Sequence, residues 1–147
     1  MLSQTHPKPH PTKMSLGKVL VIDYDEISCF LVERVMSRNG GTGQLSFAKH
    51  GKAALDLLER EVFDLILLEI NSPFMEGAEF LRELDRLQER RGADLPKVVV
   101  VTSSVRHTFL EVPHHRIKGY LPKPFSDRHM EFLRALRQDE GIQEVSP

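Results

Sequence analysis

Short apolar runs alternate along the chain with segments whose apolar residues recur at helical spacing. Five runs rich in β-branched or alternating apolar residues predict strands, at residues 18–22, 44–48, 64–68, 97–101 and 118–121. Strands that alternate with helices in this way form a parallel sheet covered by helices on both faces. The pattern therefore predicts an α/β fold.

Helical spacing predicts four helices, whose apolar side chains we expect to face the core. These side chains are Ile27, Phe30, Leu31 and Val35; Ala54, Leu57 and Leu58; Phe80, Leu81 and Leu84; and Met130, Phe132, Leu133 and Leu136. The sequence Asn39-Gly40-Gly41 ends the first helix. The structure of residues 104–116 stays open, because Pro113 would interrupt a long helix there.

The length of 147 residues fits one domain. Residues 1–16 contain three prolines and no apolar period, so they are predicted to form a flexible leader. The domain is predicted to occupy residues 17–138, and residues 139–147 to form a polar tail.

Composition narrows the class of protein. The net charge of -1 disfavours nucleic-acid binding as the main task, because neutralising phosphates needs a basic surface. The one cysteine, Cys29, cannot form an internal disulfide and is expected to be partly buried, and a reducing cytoplasm is the predicted location. No apolar run approaches the roughly 20 residues that a membrane span needs. His114 and His115 are expected to be solvated loop residues and not zinc ligands.

Polar residues follow four of the predicted strands. Asp23 and Asp25 follow the first strand, Glu69 ends the third, Thr102 the fourth, and Lys123 follows the fifth. Taken singly, an acid in such a position is often a helix N-cap, and a lone lysine is usually solvated. Because the carboxyl ends of parallel strands meet at one edge of the sheet, the sequence predicts that these side chains share one pocket.

Four motifs carry a resemblance to a known family. They are KVLVIDYDE at 18–26, DLILLEINSPFMEG at 64–77, VVVVTSS at 98–104 and GYLPKPF at 119–125. In this order and spacing they resemble the receiver domain of bacterial response regulators, over about residues 18–136. The resemblance implies a flavodoxin-like, doubly wound five-stranded sheet of order 2-1-3-4-5 with helices on both faces.

The resemblance also implies roles for single residues. Receivers hold Mg²⁺ with two acids after the first strand and an aspartate ending the third, and that aspartate accepts a phosphoryl group from a histidine kinase. Asp23 matches the first acid, and Asn71 stands where a main-chain carbonyl joins the metal. Thr102 and Lys123 match the residues that bind the phosphoryl oxygens, and Tyr120 matches the aromatic residue that changes rotamer with the threonine.

Two positions depart from the family pattern. Glu69 stands at the acceptor position in place of aspartate, and Tyr24 stands at the second acid. The extra methylene of Glu69 displaces its carboxylate by about 1 Å, which can slow an alignment-dependent reaction by about 10²-fold. The remaining metal ligands would be Asp23, Glu69 and Asn71, unless Asp25 replaces the lost acid. We therefore expect weak or no Mg²⁺ binding and phosphorylation.

The function predicted is that of a stand-alone receiver in two-component phosphorelay signalling. It is expected to be a pseudo-receiver that acts through protein contacts and not as an enzyme. The expected partners are a histidine kinase, a phosphotransfer protein or another regulator, bound through about residues 104–136; the oligomeric state stays open. Either Glu69 imitates part of a phosphoaspartate, with Tyr120 turned inward, or it is a structural acid in an inactive pocket.

A rival interpretation is a Mg²⁺-dependent phosphatase of the haloacid-dehalogenase type. In that case Asp23 is the nucleophile and Asp25 the acid and base, with Thr102 and Lys123 on the phosphate. Against this interpretation, no acid pair that could complete such a site follows Lys123, and no cap insertion is present.

Overall fold

Nine helices and strands follow one another in the computed structural model, which describes residues 15–40, 43–72, 77–92, 95–103 and 114–145, with side chains up to residue 137. The elements are β1 (Lys18–Ile22), α1 (Glu26–Asn39), β2 (Gln44–Ala48), α2 (Gly51–Arg60), β3 (Leu65–Leu68), α3 (Gly77–Arg91), β4 (Lys97–Thr102), β5 (Ile117–Pro122) and α4 (Asp127–Val145). All five predicted strands are present, each within one residue of its predicted bounds.

The five strands form one parallel sheet in the order β2-β1-β3-β4-β5, which confirms the predicted topology. Ile22 of β1 lies opposite Leu68 of β3, and Leu68 lies opposite Val100 of β4. The residues that follow β1 and β3 therefore leave the sheet side by side. This register places the polar strand ends at one edge.

The sheet separates two apolar layers because successive strand residues point to opposite faces. Leu20 and Ile22 of β1 belong to the layer under α2 and α3. Val19 and Val21 belong to the layer under α1 and α4. The inner strands β1, β3 and β4 are buried on both sides, which explains their nearly continuous runs of Val, Ile and Leu.

Helix α1 corrects one prediction. Its buried residues are Val32, Val35 and Met36, whereas Ile27 is 70% and Phe30 is 53% exposed. Phe30 precedes Val35 by five residues, which is about 140° around a helix of 3.6 residues per turn. The prediction that Ile27 and Phe30 face the core is therefore wrong, since the helix packs through a different stripe.

The ends of elements show how the domain is bounded. Gly40 ends α1 with a left-handed φ of 58°, as predicted from the Asn-Gly-Gly sequence. Leu16 is only 2% exposed and packs in the layer under α1 and α4, so the packed domain includes it. Helix α4 continues to Val145, into the range predicted as a polar tail. Residues 1–14 and 104–113 lie outside the described part of the chain.

None of the described helices is long and apolar enough to cross a bilayer.

Candidate functional site

Backbone hydrogen bonds beyond the strands fix the polar residues at the carboxyl edge of the sheet. The Asp23 N–H donates to the last residue of β2, and the Glu69 N–H donates to the last residue of β1, each at 3.0 Å. The Lys123 N–H donates to the Thr102 carbonyl at the end of β4, also at 3.0 Å. The ends of β1, β3 and β5 thus position three charged side chains at one edge of the sheet.

Lys123 joins the two acids. Its Nζ lies 2.8 Å from Asp23 Oδ2 and 2.9 Å from Glu69 Oε1. The side chains of Asp23 and Glu69 are 8% and 9% exposed, and that of Lys123 is 17% exposed. Burial acts to lower the pKa of Lys123, but its bonds to the two carboxylates outweigh burial and raise that pKa. We call these three residues the strand-end pocket.

Main-chain amides bind the other carboxylate oxygens of the strand-end pocket. The Asp25 N–H donates to Asp23 Oδ1 at 2.9 Å, and the Asn71 N–H donates to Glu69 Oε2 at 3.1 Å. Each of the four oxygens of Asp23 and Glu69 therefore has a protein donor. The arrangement confirms that these two acids and Lys123 come together, as the strand-end pattern predicted.

Two further predicted residues lie on the strands β4 and β5. Thr102 is fully buried at the end of β4. Tyr120 on β5 is half-buried and packs against the apolar layer under α2 and α3. Burial raises the pKa of the Tyr120 phenol.

Asp25 serves helix α1. It is the N-cap: its Oδ1 accepts the Ile27 N–H at 3.2 Å, and its Oδ2 accepts the Ser28 hydroxyl at 2.8 Å. The Ser28 bond and the backbone N–H bonds lower the pKa of Asp25, although burial acts to raise it. Tyr24 is 51% exposed at the rim. The capping role that sequence alone allowed for Asp25 is confirmed.

The residues present fit a divalent cation poorly. Mg²⁺ prefers an octahedral shell of oxygen ligands, several of them usually waters. Here the two carboxylates already bind an ammonium group and two amides, and Tyr24 supplies no anion. The cavity beside Asp23, Glu69 and Lys123 measures about 20 Å³, which is room for about one water molecule.

Comparison with known proteins decides the family. Residues 19–135 match the family described as the response regulator receiver domain. The chain belongs to this family. Receiver domains function in two-component signalling, typically bind Mg²⁺ at their phosphorylation site, and interact with histidine kinases and other signalling proteins. The comparisons give no support to the haloacid-dehalogenase interpretation.

Three relatives illustrate how far the similarity extends. This receiver is 29% identical over 114 residues to the probable methanogenesis regulatory protein FilR2 of Methanothrix harundinacea, covering 74% of this chain and 72% of that protein. It is 32% identical over 108 residues to the aerobic respiration control sensor protein ArcB of Escherichia coli, covering 74% of this chain but 13% of ArcB. A two-component response regulator from Legionella pneumophila superposes with a TM-score of 0.68 at 32% identity, covering 83% of this chain and 98% of that one.

One polar cluster of this receiver was not predicted from sequence. Asp85 on α3 binds His114 Nε2 at 2.9 Å and Arg116 Nε at 3.0 Å, just before β5. The His114 side chain is 15% exposed, so the prediction that it is solvated is wrong, while that of His115 is 70% exposed. Burial acts to raise the pKa of Asp85, but its bonds to His114 and Arg116 lower it overall.

The hydrogen bonds of His114 bear on metal binding. Asp85, His114 and His115 place potential ligand atoms within 4.8 Å of one another. However, His114 Nδ1 accepts the Arg116 N–H at 3.1 Å, which assigns the ring proton to Nε2, the atom that faces Asp85. A metal ion would need the lone pair at that same atom. The cluster therefore fits a hydrogen-bonded link between α3 and β5 and not a metal site.

Proposed function

We propose that this receiver signals through protein–protein contacts, with weak or no phosphorylation at Glu69. The observation that carries the proposal is the bridge from Lys123 to both Asp23 and Glu69. The lysine that would bind an incoming phosphoryl group already binds the carboxylate that would accept it. Phosphorylation must first break this contact.

The position of the acceptor carboxylate adds a second obstacle. In-line phosphoryl transfer depends mainly on positioning and electrostatics, and a displacement of about 1 Å can slow such a reaction by about 10²-fold. Glu69 Oε2 is also held by the Asn71 amide at 3.1 Å. We infer that Mg²⁺ binds weakly, since Tyr24 removes one anionic ligand and Asp25 is engaged by α1.

Of the two interpretations of Glu69, partial imitation of a phosphoaspartate has the better support. Its carboxylate contacts Lys123 as a phosphoryl oxygen would, although it carries one negative charge where a phosphoryl group carries about 1.5 to 2. Tyr120 is half-buried against the apolar layer, which favours its inward orientation. The receiver would then hold the arrangement recognised by a partner without phosphorylation.

The proposed partner is a histidine kinase, a phosphotransfer protein or another regulator, bound through residues 104–136. The described part of that range contains β5 and the first half of α4. We further propose that the protein is not an enzyme. Location in the cytoplasm stays a prediction.

Phosphorylation is tested by incubation with acetyl phosphate and Mg²⁺, followed by intact mass. We expect wild type to stay unmodified, Glu69→Asp to gain one phosphoryl mass, and Glu69→Asp with Tyr24→Asp to gain it at lower Mg²⁺. Glu69→Gln is the matched control, because it keeps the length of the side chain and cannot form an acyl phosphate. Modification of wild type that Glu69→Gln abolishes would show that the acceptor is active and would refute the proposal.

Imitation of the phosphorylated state is tested through Tyr120. The chain has two tyrosines and no tryptophan, so Tyr24→Phe leaves Tyr120 as the only tyrosine. In that background Glu69→Gln should increase quenching of tyrosine fluorescence by acrylamide, because losing the charge at position 69 frees the ring to turn outward. Equal quenching with Glu69 and Gln would favour the inactive-pocket interpretation instead.

A further inference from the structure

A groove of about 370 Å³ lies between the first half of α1 and strand β2. Three aromatic side chains line it, Tyr24, Phe30 and Phe47, which are 51%, 53% and 40% exposed. Grooves lined by aromatic residues bind proline-rich segments, because the prolines pack on the rings and a backbone already restricted by proline loses little freedom on binding. The lining of this groove therefore suits a proline-rich occupant.

The charge of the groove restricts the occupant further. Asp23 lines both the groove and the strand-end pocket, so the two form one continuous surface. Among the described residues, this surface contains four acids and two bases: Asp23, Glu26, Glu33, Glu69, Lys49 and Lys123. Both bases are already paired on it, and two negative charges remain after these pairs are counted. The Arg34 guanidinium lies 5.5 Å from the centre of the Phe30 ring but does not line the groove. The surface is complementary to a basic segment.

The sequence of this chain contains a segment with both properties. Residues 6–13 read HPKPHPTK, with three prolines and two lysines, and no acid precedes Asp23 in the chain. The lysines Lys8 and Lys13 stand on either side of Pro9 and Pro11. Proline and positive charge are thus combined within eight residues.

The described chain begins within reach of the groove. Leu16 packs in the layer under α1 and α4, on the side of the sheet where α1 lies. The Gly43 N–H, one residue before β2, donates to the Gly17 carbonyl at 3.2 Å, so the chain enters the fold beside the start of β2. Phe47 lies four residues further, about 13 Å along the strand. Pro11 precedes Leu16 by five residues, and five extended residues span up to about 17 Å. The length of the chain therefore allows the prolines to reach the groove.

We propose that residues 6–13 bind in this groove of their own chain, with the prolines on the aromatic rings and the lysines beside the acids. The segment would cover Asp23 and Tyr24, where the groove meets the strand-end pocket. A partner that approaches the pocket from this side would have to displace it. The contact does not depend on whether Glu69 accepts a phosphoryl group.

Carbodiimide cross-linking of the full chain tests where the lysines bind. The reagent condenses a carboxylate with a neighbouring amine to an amide and takes up the water as a urea, and mass spectrometry maps the product. Lys8 and Lys13 should link to Glu26 or Glu33. The matched control is a second acidic groove between α2 and α3, which has no aromatic residue among its described lining residues: Asp56, Glu59, Glu79 and Glu83 with Lys52, Leu55, Leu87 and Arg90. Links to the second groove should be several-fold fewer.

Mixing copies that contain ¹⁴N and ¹⁵N distinguishes binding within one chain from binding between two. We expect cross-links within one copy. Equal linking to both grooves would show that charge alone attracts the lysines. That result, the absence of links to Glu26 and Glu33, or links only between differently labelled copies would each overturn the proposal.

Alkylation of Cys29 provides a second test, because Cys29 is the one cysteine of the chain and lines the groove. A short tether gives an effective concentration on the order of 1 mM, so the groove should be covered in most copies. The variant with Pro7→Gly, Pro9→Gly and Pro11→Gly leaves the charge unchanged and should react with iodoacetamide at least about threefold faster than wild type.

The matched control for alkylation carries Ser3→Gly, Gln4→Gly and Thr5→Gly, which lie outside residues 6–13, and it should react at the wild-type rate. Circular dichroism melts establish that both variants fold as wild type does. A proline variant that reacts at the wild-type rate, or a control that reacts as fast as the proline variant, would contradict binding of residues 6–13 in the groove.

Discussion

Replacing Lys123 by methionine tests the electrostatic basis of the strand-end pocket. The substitution keeps the length of the side chain and removes the charge that lies 2.8 Å from Asp23 and 2.9 Å from Glu69. Both acids are more than nine-tenths buried, so bulk water cannot solvate them as it would at the surface. The variant leaves two carboxylates close together with only their amide donors.

The expected loss of stability follows from this burial. Removing one partner of a buried ion pair costs about 3–5 kcal/mol. Protonating one carboxyl relieves the repulsion, and for a group whose pKa in water is about 4 this costs about 1.4 kcal/mol for each pH unit above 4. The free energy of unfolding cannot fall by more than the cost of protonating one carboxyl. That cost is about 5 kcal/mol at a pH of about 7.5 and about 2 kcal/mol at a pH of about 5.5. Lys123→Met should be strongly destabilised near neutral pH and less so in acid.

Urea unfolding followed by circular dichroism at both pH values measures this difference. The matched control is Lys49→Met, which removes an exposed lysine paired with Glu26 and should change the free energy of unfolding by about 1 kcal/mol or less. A second variant, Lys123→Met with Glu69→Gln, removes one carboxylate and should regain part of the stability at neutral pH. If Lys123→Met is as stable as wild type, or equally destabilised at both pH values, the bridge does not have the role inferred here.

Three further substitutions test other contacts. Burial lowers the pKa of His129 in the folded protein below 6.5. The stability that neutral His129 contributes is therefore complete above about pH 6.5 and is lost as the pH falls through that lowered pKa. His129→Gln should reduce the decrease in the urea midpoint between about pH 7.5 and 5.5. Gly77→Ala should lower the free energy of unfolding by about 1–3 kcal/mol, because the alanine Cβ would lie 2.9 Å from the Ile70 Cα. Gly43→Ala is the control: its Cβ would have no atom within 4 Å, so the free energy of unfolding should hardly change. Asp85→Ala should lower the thermal stability, at a cost of about 1–3 kcal/mol, because it leaves buried Arg116 without this carboxylate.

Each of these three predictions has an outcome that would contradict it. An unchanged pH dependence in His129→Gln would show that other groups control acid stability. Equal unfolding free energies for Gly77→Ala and Gly43→Ala would show that the chain near α3 relaxes freely. A wild-type melting temperature in Asp85→Ala would show that the link between α3 and β5 contributes no stability.

The strands and their order were predictable because buried parallel strands leave a strong local signal. The run KVLVI is buried on both faces, and its predicted bounds agree with β1. The buried face of α1 was not predictable, since its apolar residues allow more than one stripe. Contacts with β1 and α4 select Val32, Val35 and Met36, and leave Ile27 and Phe30 exposed. Tertiary packing, and not helical periodicity, chose the face.

The pocket was predictable for the same reason that the sheet was. Parallel strands deliver their carboxyl ends to one edge, so Asp23, Glu69 and Lys123 had to approach one another. Their hydrogen bonds were less predictable: the Asn71 amide that holds Glu69 is a backbone group, and every residue except proline has one. The contact between Asp85 and His114 joins residues 29 apart in sequence, and no local pattern specifies such a pair.

Of the two departures from the family pattern, only Tyr24 changes the charge of the pocket, since Glu69 carries the same charge as an aspartate. Asp23, Glu69 and Lys123 together carry one net negative charge, since two carboxylates face one ammonium group. An acid in place of Tyr24 would raise this to two negative charges, which a divalent cation would offset. With Tyr24 present, the lysine alone leaves the pocket within one charge of neutrality, and the longer side chain of Glu69 still bonds to it. Glu69→Asp alone would therefore restore the phosphorylation site but not the second negative charge that helps to bind Mg²⁺. For this reason Glu69→Asp should need more Mg²⁺ for phosphorylation than Glu69→Asp with Tyr24→Asp.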